Sequence, residues 1–481
     1  MILSELLQAI NPLQVVGRTD VEITGIQFDS RKVERGNMFV AQVGTAVDGH
    51  QFIDGCVAKG AAAVVLSKLD HVPAVTEGTT YVLVENTDRA LGQLACRWFG
   101  EPSQKLKLVG VTGTNGKTTI ATLLYKLARA LGHKAGLLST VVNYIDSEAV
   151  PATHTTPDAL ELNGLLARMV AAGCEYAFME VSSHAIAQER IAGLDFDGAL
   201  FTNLTRDHID YHKTFDNYRD TKKRLFDGLK KSAFAVTNKD DRNGLVMTQN
   251  TKAKVYSYSV RAMADYRAHI LEEGFEGMML QIDGQEVFVP LVGRFNVSNL
   301  LCIYGAALNL GFDKMEVLRV LSTLTPVNGR FETIHSPKGW TAVIDYAHTP
   351  DAVDNVIQTI NEIRKGKLIT VVGCGGNRDK GKRPMMAQIA KHGSDQLILT
   401  SDNPRDEEPA DILRDMAAGL TNEELRSTLI IEDRESAIKT ACTLAQANDV
   451  ILVAGKGHED YQIIKGVKHH FDDHEVVKSC L

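Results

Sequence analysis

The chain has 481 residues, and roughly 150 residues per domain gives about three domains. Apolar residues make up 44% and charged residues 23%, which excludes a disordered chain and suits a globular one. Lys and Arg total 52 against 60 Asp and Glu, a net charge of −8, so the cationic excess of a general nucleic-acid binder is missing and no such partner is expected.

The opening M-I-L-S-E-L-L carries an acid and no basic region, and reads as a short amphipathic helix instead of a signal peptide. No run of about 18 apolar residues occurs, so no membrane partner is expected. The seven cysteines are scattered and form no C-x-x-C. That spacing argues against a disulfide framework or a zinc site, and for a reducing, cytoplasmic setting.

Short β-branched runs alternate with amphipathic stretches. Strands are expected at Lys107–Thr112, 178–181, 199–202, 341–346, Leu368–Val372, 396–400 and Val450–Ala454, and helices at 118–131, 158–172 and 351–364. Such alternation predicts α/β architecture with parallel sheets, whose ligands lie beyond the strand carboxyl ends. Turn chemistry at Gly100 and Pro102, and again at Pro326 to Gly329 and Pro337 to Gly339, divides the chain into units 1–100, 101–335 and 336–481.

The strongest local signal is V-G-V-T-G-T-N-G-K-T-T (109–119), a strand running into a glycine-rich turn and a helix start. Gly113, Thr114, Asn115 and Gly116 offer backbone N–H groups to phosphates, and the helix N-terminus adds partial positive charge. Lys117 would reach the β- and γ-phosphates, Thr118 would ligate Mg²⁺, and Thr119 follows in the same turn. Valine at 111 replaces the first glycine of the common spacing, so the loop is a compact variant. Glu180 ends a second strand, where its carboxylate could also hold Mg²⁺. T-N-L-T-R-D-H-I-D-Y-H (202–212) follows another strand, and its His208 could ligate a second cation. Taken alone, Asp207 and Asp210 read equally well as helix caps, and histidine is an unusual Mg²⁺ ligand. Gly373, Gly375 and Arg378 make a poor dinucleotide fingerprint, arginine standing in the third glycine position; a polar substrate loop fits better.

G-T-N-G-K-T-T (113–119), E-V-S-S-H (180–184), the 202–212 motif, G-R-F-N-V-S-N (293–299), N-G-R-F-E (328–332), D-Y-A-H-T-P-D (345–351) and G-K-G-H-E-D-Y-Q (455–462) occur in that order. Together they resemble the Mur ligases, ATP-dependent amide-forming enzymes of peptidoglycan precursor synthesis. F-D-S-R-K-V-x-x-G-x-x-F-V-A (28–41) and D-G-H-x-F-I (48–53) look like the uridine-nucleotide domain of the member that adds the third residue. The resemblance implies a UDP-sugar domain, a central P-loop ATPase domain and a Rossmann-like C-terminal domain, in a monomer. It implies that a D-glutamyl carboxylate takes the γ-phosphoryl of ATP, and that an amine then displaces phosphate.

Residue by residue, the resemblance implies ATP contacts at Asn296, Arg330, Asp345 and His348. It implies UDP-sugar contacts at Ser30, Thr45, Ala46, Val47, Thr155, Thr156, Ser182, Gln188 and Arg190. Y-x-x-T-K-x-x-L-F (218–226) implies that Lys222 carries a carbamate, an N6-carboxylysine that supports Mg²⁺. Lys117, Lys222, Glu180 and His208 would then form the catalytic set. D-N-P-R (402–405) matches the meso-diaminopimelate-adding enzymes, with Asp402, Asn403, Pro404, Arg405, Arg378, Gly455 and Glu459 around the amino acid. Forked guanidinium groups suit the distal carboxylate that lysine lacks. Three other readings stay open: a lysine-adding sister enzyme, a folylpolyglutamate synthase, and a P-loop protein that hydrolyses ATP without forming a bond.

Overall fold

A computed structural model of the chain describes residues 1–44, 47–73 and 78–481. Three large sheets follow one another along the sequence, with a two-stranded hairpin of Tyr461–Ile464 and Val467–His470 after the third. The first has five strands in the order Gln14–Val16, Thr80–Leu83, Ala63–Leu66, Asn37–Val40, Gly25–Gln27; the edge strand 14–16 is antiparallel and the rest are parallel. The amphipathic start forms the helix Leu3–Leu7. Its Leu3 and Leu6 pack with Leu91 and Leu94 of the helix Thr87–Trp98. Gly100 and Glu101 then take positive φ, 75° and 54°, and end that helix before the second sheet.

The second sheet has eleven strands with Lys107–Thr112 at its centre, parallel to Tyr176–Glu180 on one side and Gly198–Phe201 on the other. Every residue of 108–112 is buried, which explains why this strand reads as a continuous apolar run. One face packs on the helices Lys117–Ala130 and Arg294–Asn309, the other on Ala159–Ala171 and Phe215–Asp227. The register aligns Glu180 with Val111 and Phe201 with Thr112, so the carboxyl ends of three adjacent strands meet at one place.

The third sheet runs Glu332–His335, Thr341–Asp345, Val450–Ala454, Leu368–Val372, Gln396–Leu399, Thr428–Ile430. Only the first strand is antiparallel, giving a Rossmann-like arrangement with helices on both faces. Here the sequence expectation needs correction. The turn containing Pro337 and Gly339 is a hairpin inside this sheet, closed by the Ser336 N–H donating to Trp340 O at 2.9 Å. The strand 332–335 therefore lies ahead of the expected boundary at 336. A proline-glycine signal marks a chain reversal, whether the reversal joins domains or two paired strands. Among the described residues no helix is long and apolar enough to cross a membrane.

Candidate active site

The central strand delivers the chain into a loop whose glycines, Gly113 and Gly116, adopt φ of 148° and 89°. A Cβ on Gly113 would stand 1.8 Å from Thr202 Oγ1, and one on Gly116 2.6 Å from Asn299 Oδ1. Both positions thus require glycine for conformation and for space. The adjacent strand end fixes the loop. Thr114 N–H donates to Asn203 O at 2.8 Å, Asn115 N–H to Asn203 Oδ1 at 2.9 Å, and the Thr202 hydroxyl to Asn115 O at 2.6 Å.

Two lysines converge on this loop. Lys117 Nζ donates to the carbonyls of Gly113 at 3.0 Å and Thr114 at 2.8 Å. Lys222, 1% exposed on the helix Phe215–Asp227, donates to the same Gly113 carbonyl at 2.9 Å. Burial, with Lys117 beside it, pushes the Lys222 amine well below the ordinary lysine range. Burial also lowers Lys117, opposed by the charges of Glu180 and Asp207.

Glu180 is buried at its strand end, and its Oε1 accepts from the Thr140 N–H at 2.8 Å and the Thr140 hydroxyl at 3.0 Å. His208 sits at φ 53° with its ring Nε2 3.3 Å from Asp207 Oδ2. Burial nevertheless holds the imidazole down to about 3, so it is neutral near pH 7. Among the described residues, no three or more His, Cys, Asp or Glu converge as a cation cage. A divalent cation here would take the Thr118 hydroxyl and the Glu180 carboxylate, hard oxygen donors suited to Mg²⁺, with ligand oxygens and water completing its shell.

The third unit closes over the loop. Arg330 Nη2 donates to Thr118 Oγ1 at 3.1 Å, and its guanidinium lies 4.6 Å from the centre of the Tyr346 ring. Asn115 Nδ2 donates to Asp351 Oδ2 at 3.1 Å. Asp345 accepts from the Phe331 N–H at 2.7 Å, and burial raises its carboxyl to about 6. His348 Nδ1 lies 2.8 Å from the Tyr346 carbonyl, which fixes the proton on that nitrogen; burial and then Lys382 hold its pKa down to about 4.

Beyond these lies the amino-acid end. Arg405, at φ 54°, is held by its N–H to Ile463 O at 2.9 Å and by Nη1 to Gly376 O at 2.7 Å. Glu459 accepts from Asn403 Nδ2 at 2.7 Å and from the Tyr346 hydroxyl at 3.3 Å; burial and then Asp402 raise its pKa. A fully buried ion pair, Arg434 with Asp473 at 2.8 Å, lies behind them. Its guanidinium also donates to Ser401 O and Ala454 O, the residues just before Asp402 and Gly455.

One cleft brings these parts together. It is lined by Thr114 to Thr118, Thr155, Glu180 and His208 of the second unit. From the third come Arg330, His348, Arg378, Asp402, Asn403, Arg405, Gly455 and Glu459. A second cavity of about 340 Å³, on the scale of a small-ligand site, opens on the loop's other side. Asn115, Gly116, Thr119, Arg330, Asp345 and His348 border it, together with Tyr258, Phe295 and Asn299. Asn296 is the exception. Its amide turns back to Val292 O at 2.8 Å and lies behind Asn299, which faces the loop in its place.

A hydrogen-bond chain leads away from Glu180. Its carbonyl accepts from Thr156 Oγ1, which accepts from the Ser182 N–H; Arg190 donates to Thr156 O at 2.7 Å and to Gln188 Oε1 at 2.6 Å. Ser30 and Val47 lie in the first unit and do not line the cleft, and Thr45 and Ala46 fall outside the described residues. Pro404 does not line it either: its carbonyl lies 1.9 Å from where a Cβ on Gly376 would stand. Thr140, Tyr346, Asp351 and Lys382 belong to the site without having been singled out. Tyr346 and Asp351 could have been found inside the 345–351 motif; Thr140 and Lys382 carry no local signal.

A P-loop at the centre of a parallel sheet, facing a Rossmann-like unit across a polar cleft, is the arrangement of an α/β ligase. The chain belongs to the Mur ligase family: residues 22–99 match "Mur ligase family, catalytic domain", 111–307 "Mur ligase middle domain" and 329–457 "Mur ligase, glutamate ligase domain". It is similar to two proteins named UDP-N-acetylmuramoyl-L-alanyl-D-glutamate--2,6-diaminopimelate ligase. That of Parabacteroides distasonis is 61% identical, over 99% of this chain and 98% of the relative; that of Phocaeicola vulgatus is 59% identical, over 99% of each. A solved structure of a ligase with the same name shares 34% identity and a TM-score of 0.70, covering 100% of this chain and 98% of that one.

Proposed function

We propose that this chain joins meso-2,6-diaminopimelate to UDP-N-acetylmuramoyl-L-alanyl-D-glutamate at the expense of ATP, with Mg²⁺, as a cytoplasmic monomer making peptidoglycan precursor. The observation that carries the reading is that one cleft holds both the phosphate loop and the set Arg405, Arg378, Asn403 and Glu459. A phosphoryl donor and an acceptor with a second carboxylate can therefore meet within a single site.

Each residue's part follows from its chemistry. The N–H groups of 114–118 and the start of the helix Lys117–Ala130 bind phosphate oxygens. Lys117 and Arg330 bring positive charge to a carboxylate and a triphosphate that repel each other by about 4 kcal/mol at 4 Å and an effective dielectric near 20. Mg²⁺ at Thr118 and Glu180 supplies further charge neutralisation when bound. A neutral Lys222 amine can react with CO₂ to form a carbamate, whereas an ammonium cannot, and its burial favours the neutral form. Thr156, Ser182, Gln188 and Arg190 line up as polar contacts for the nucleotide-sugar substrate, with Ser30, Thr45, Ala46 and Val47 at its uridine end. Arg405 and Arg378 pair with the distal carboxylate of diaminopimelate, and Glu459 and the Gly455 carbonyl accept from its ammonium.

The test is to incubate the protein with ATP, Mg²⁺, the nucleotide-dipeptide and each of a panel of amino acids, then weigh the product. A diaminopimelate adduct, with none from lysine, is expected. A lysine adduct, or phosphate release that needs neither acceptor, refutes the proposal.

A further inference from the structure

We propose that Lys382 is a catalytic residue of the third unit that contacts the phosphoryl group in transfer, facing Lys117 across the cleft. This rests on the reading of the chain as an ATP-dependent ligase. Lys382 opens the helix Lys382–Gly393, is 9% exposed, and lines the cleft with Thr114 to Thr118, Glu180 and Asp207. Its Nζ donates to the His348 carbonyl at 2.8 Å, and among the described residues no carboxylate lies within ion-pair distance of it. The next residue has a different environment: Arg383 is held by Glu407 and Asp415 at 2.9 and 2.8 Å. Like half-buried Lys117, Lys382 has only backbone carbonyls as partners among the described residues, leaving N–H donors for an anion. The start of its helix is tied to the second unit by Arg206 and Asp379 at 3.7 Å.

The step it serves has simple balance. A carboxylate oxygen forms a bond to the γ-phosphorus, the bond from that phosphorus to the β,γ-bridging oxygen breaks, and its electron pair leaves with ADP. An amine nitrogen then bonds the acyl carbon, the carbon–oxygen bond to phosphate breaks with its pair on phosphate, and the amine's surplus proton passes to that phosphate or to solvent. In both steps the charge in motion lies on phosphoryl oxygens, where a fixed ammonium is most effective.

The experiment compares the wild type with Lys382→Gln, Lys382→Met and Lys382→Arg. It measures kcat, KM for each substrate, affinity for a fluorescent ADP analogue and Tm. A fall in kcat of about 100-fold or more is expected in Lys382→Gln and Lys382→Met. KM for the two acceptors and ADP affinity should stay within about threefold, and Lys382→Arg should recover at least a tenth of the rate. Unchanged kcat overturns the proposal. So does a loss of ADP affinity equal to the loss of rate, which would make Lys382 a ground-state anchor, or a rise confined to KM for the amino acid. If the Gln and Met variants fail to fold, Lys382→Ala replaces them in the same comparison, and an unchanged kcat in it overturns the role. If the wild type couples ATP to a different amine, the functional reading fails while the dependence on Lys382 is still measured on that amine.

Discussion

Replacing Arg405 by alanine isolates the contribution of one guanidinium to amino-acid choice. The backbone stays at φ 54° in either case, fixed by the N–H to Ile463 O and by the Lys465 N–H to Arg405 O at 2.6 Å, so strain is common to both proteins and cancels. What is lost is the bond to Gly376 O and the charge facing the acceptor. A carboxylate about 4 Å from that charge gains about 4 kcal/mol at an effective dielectric near 20. Arg405 is only half-buried, and desolvation and screening reduce this to about 2–3 kcal/mol. That corresponds to about a 30- to 150-fold fall in kcat/KM for diaminopimelate. Lysine has no distal carboxylate, so its kcat/KM should change by less than about threefold, and the preference should shrink by the full factor. Arg378 is exposed, and its alanine variant should lose less than about 1 kcal/mol. Phosphate release with both amino acids, with product masses, measures the ratio. An unchanged preference in Arg405→Ala would refute the assignment of this guanidinium to the distal carboxylate.

Glu180→Gln should raise the Mg²⁺ concentration needed for half-maximal activity and lower kcat about 100-fold, read from a Mg²⁺ titration at saturating ATP. Gly113→Ala should destabilise the protein by about 2–4 kcal/mol and abolish nucleotide binding, because its Cβ would meet Thr202 Oγ1 at 1.8 Å; denaturant unfolding and ADP affinity test both. ¹³C-labelled bicarbonate at pH 8 should give a carbamate signal in the wild type that is missing from Lys222→Arg, given the depressed pKa of that amine. His348 is held to about 4 in the folded chain against about 6.5 when unfolded. The unfolded chain therefore binds the extra proton, and the stability tied to this histidine is complete above pH 6.5 and lost as pH falls towards 4. His348→Gln should flatten that part of the stability–pH curve.

The phosphate loop was legible because its signal is local: a buried β-branched strand running into Gly113, Gly116, Lys117, Thr118 and Thr119. The parallel sheets were legible for the same reason, since strands buried on both faces carry unbroken apolar runs. The hairpin at 336–339 was misjudged because a turn looks alike whether or not the strands beside it pair. Asn296 and Asn299 lie one helical turn apart on the same helix, and sequence order alone does not say which of them faces the loop. Thr140 and Lys382 were invisible, since each reaches the cleft from a strand end or helix start distant along the chain. The bond from Asn115 to Asp351 spans 236 positions, and no local pattern specifies such a meeting.

The Gly113 carbonyl receives both Lys117 and Lys222, at 3.0 and 2.9 Å. Burial and then the Lys117 charge push the Lys222 amine well below the ordinary lysine range, so phosphate arriving at the loop is expected to draw a proton from the buffer onto it. Heats of binding measured in buffers of unequal ionisation enthalpy should therefore differ. Converting the inner amine to an anion would turn that rivalry into attraction, giving Lys117 a counter-charge and the loop a different protonation balance before any nucleotide arrives.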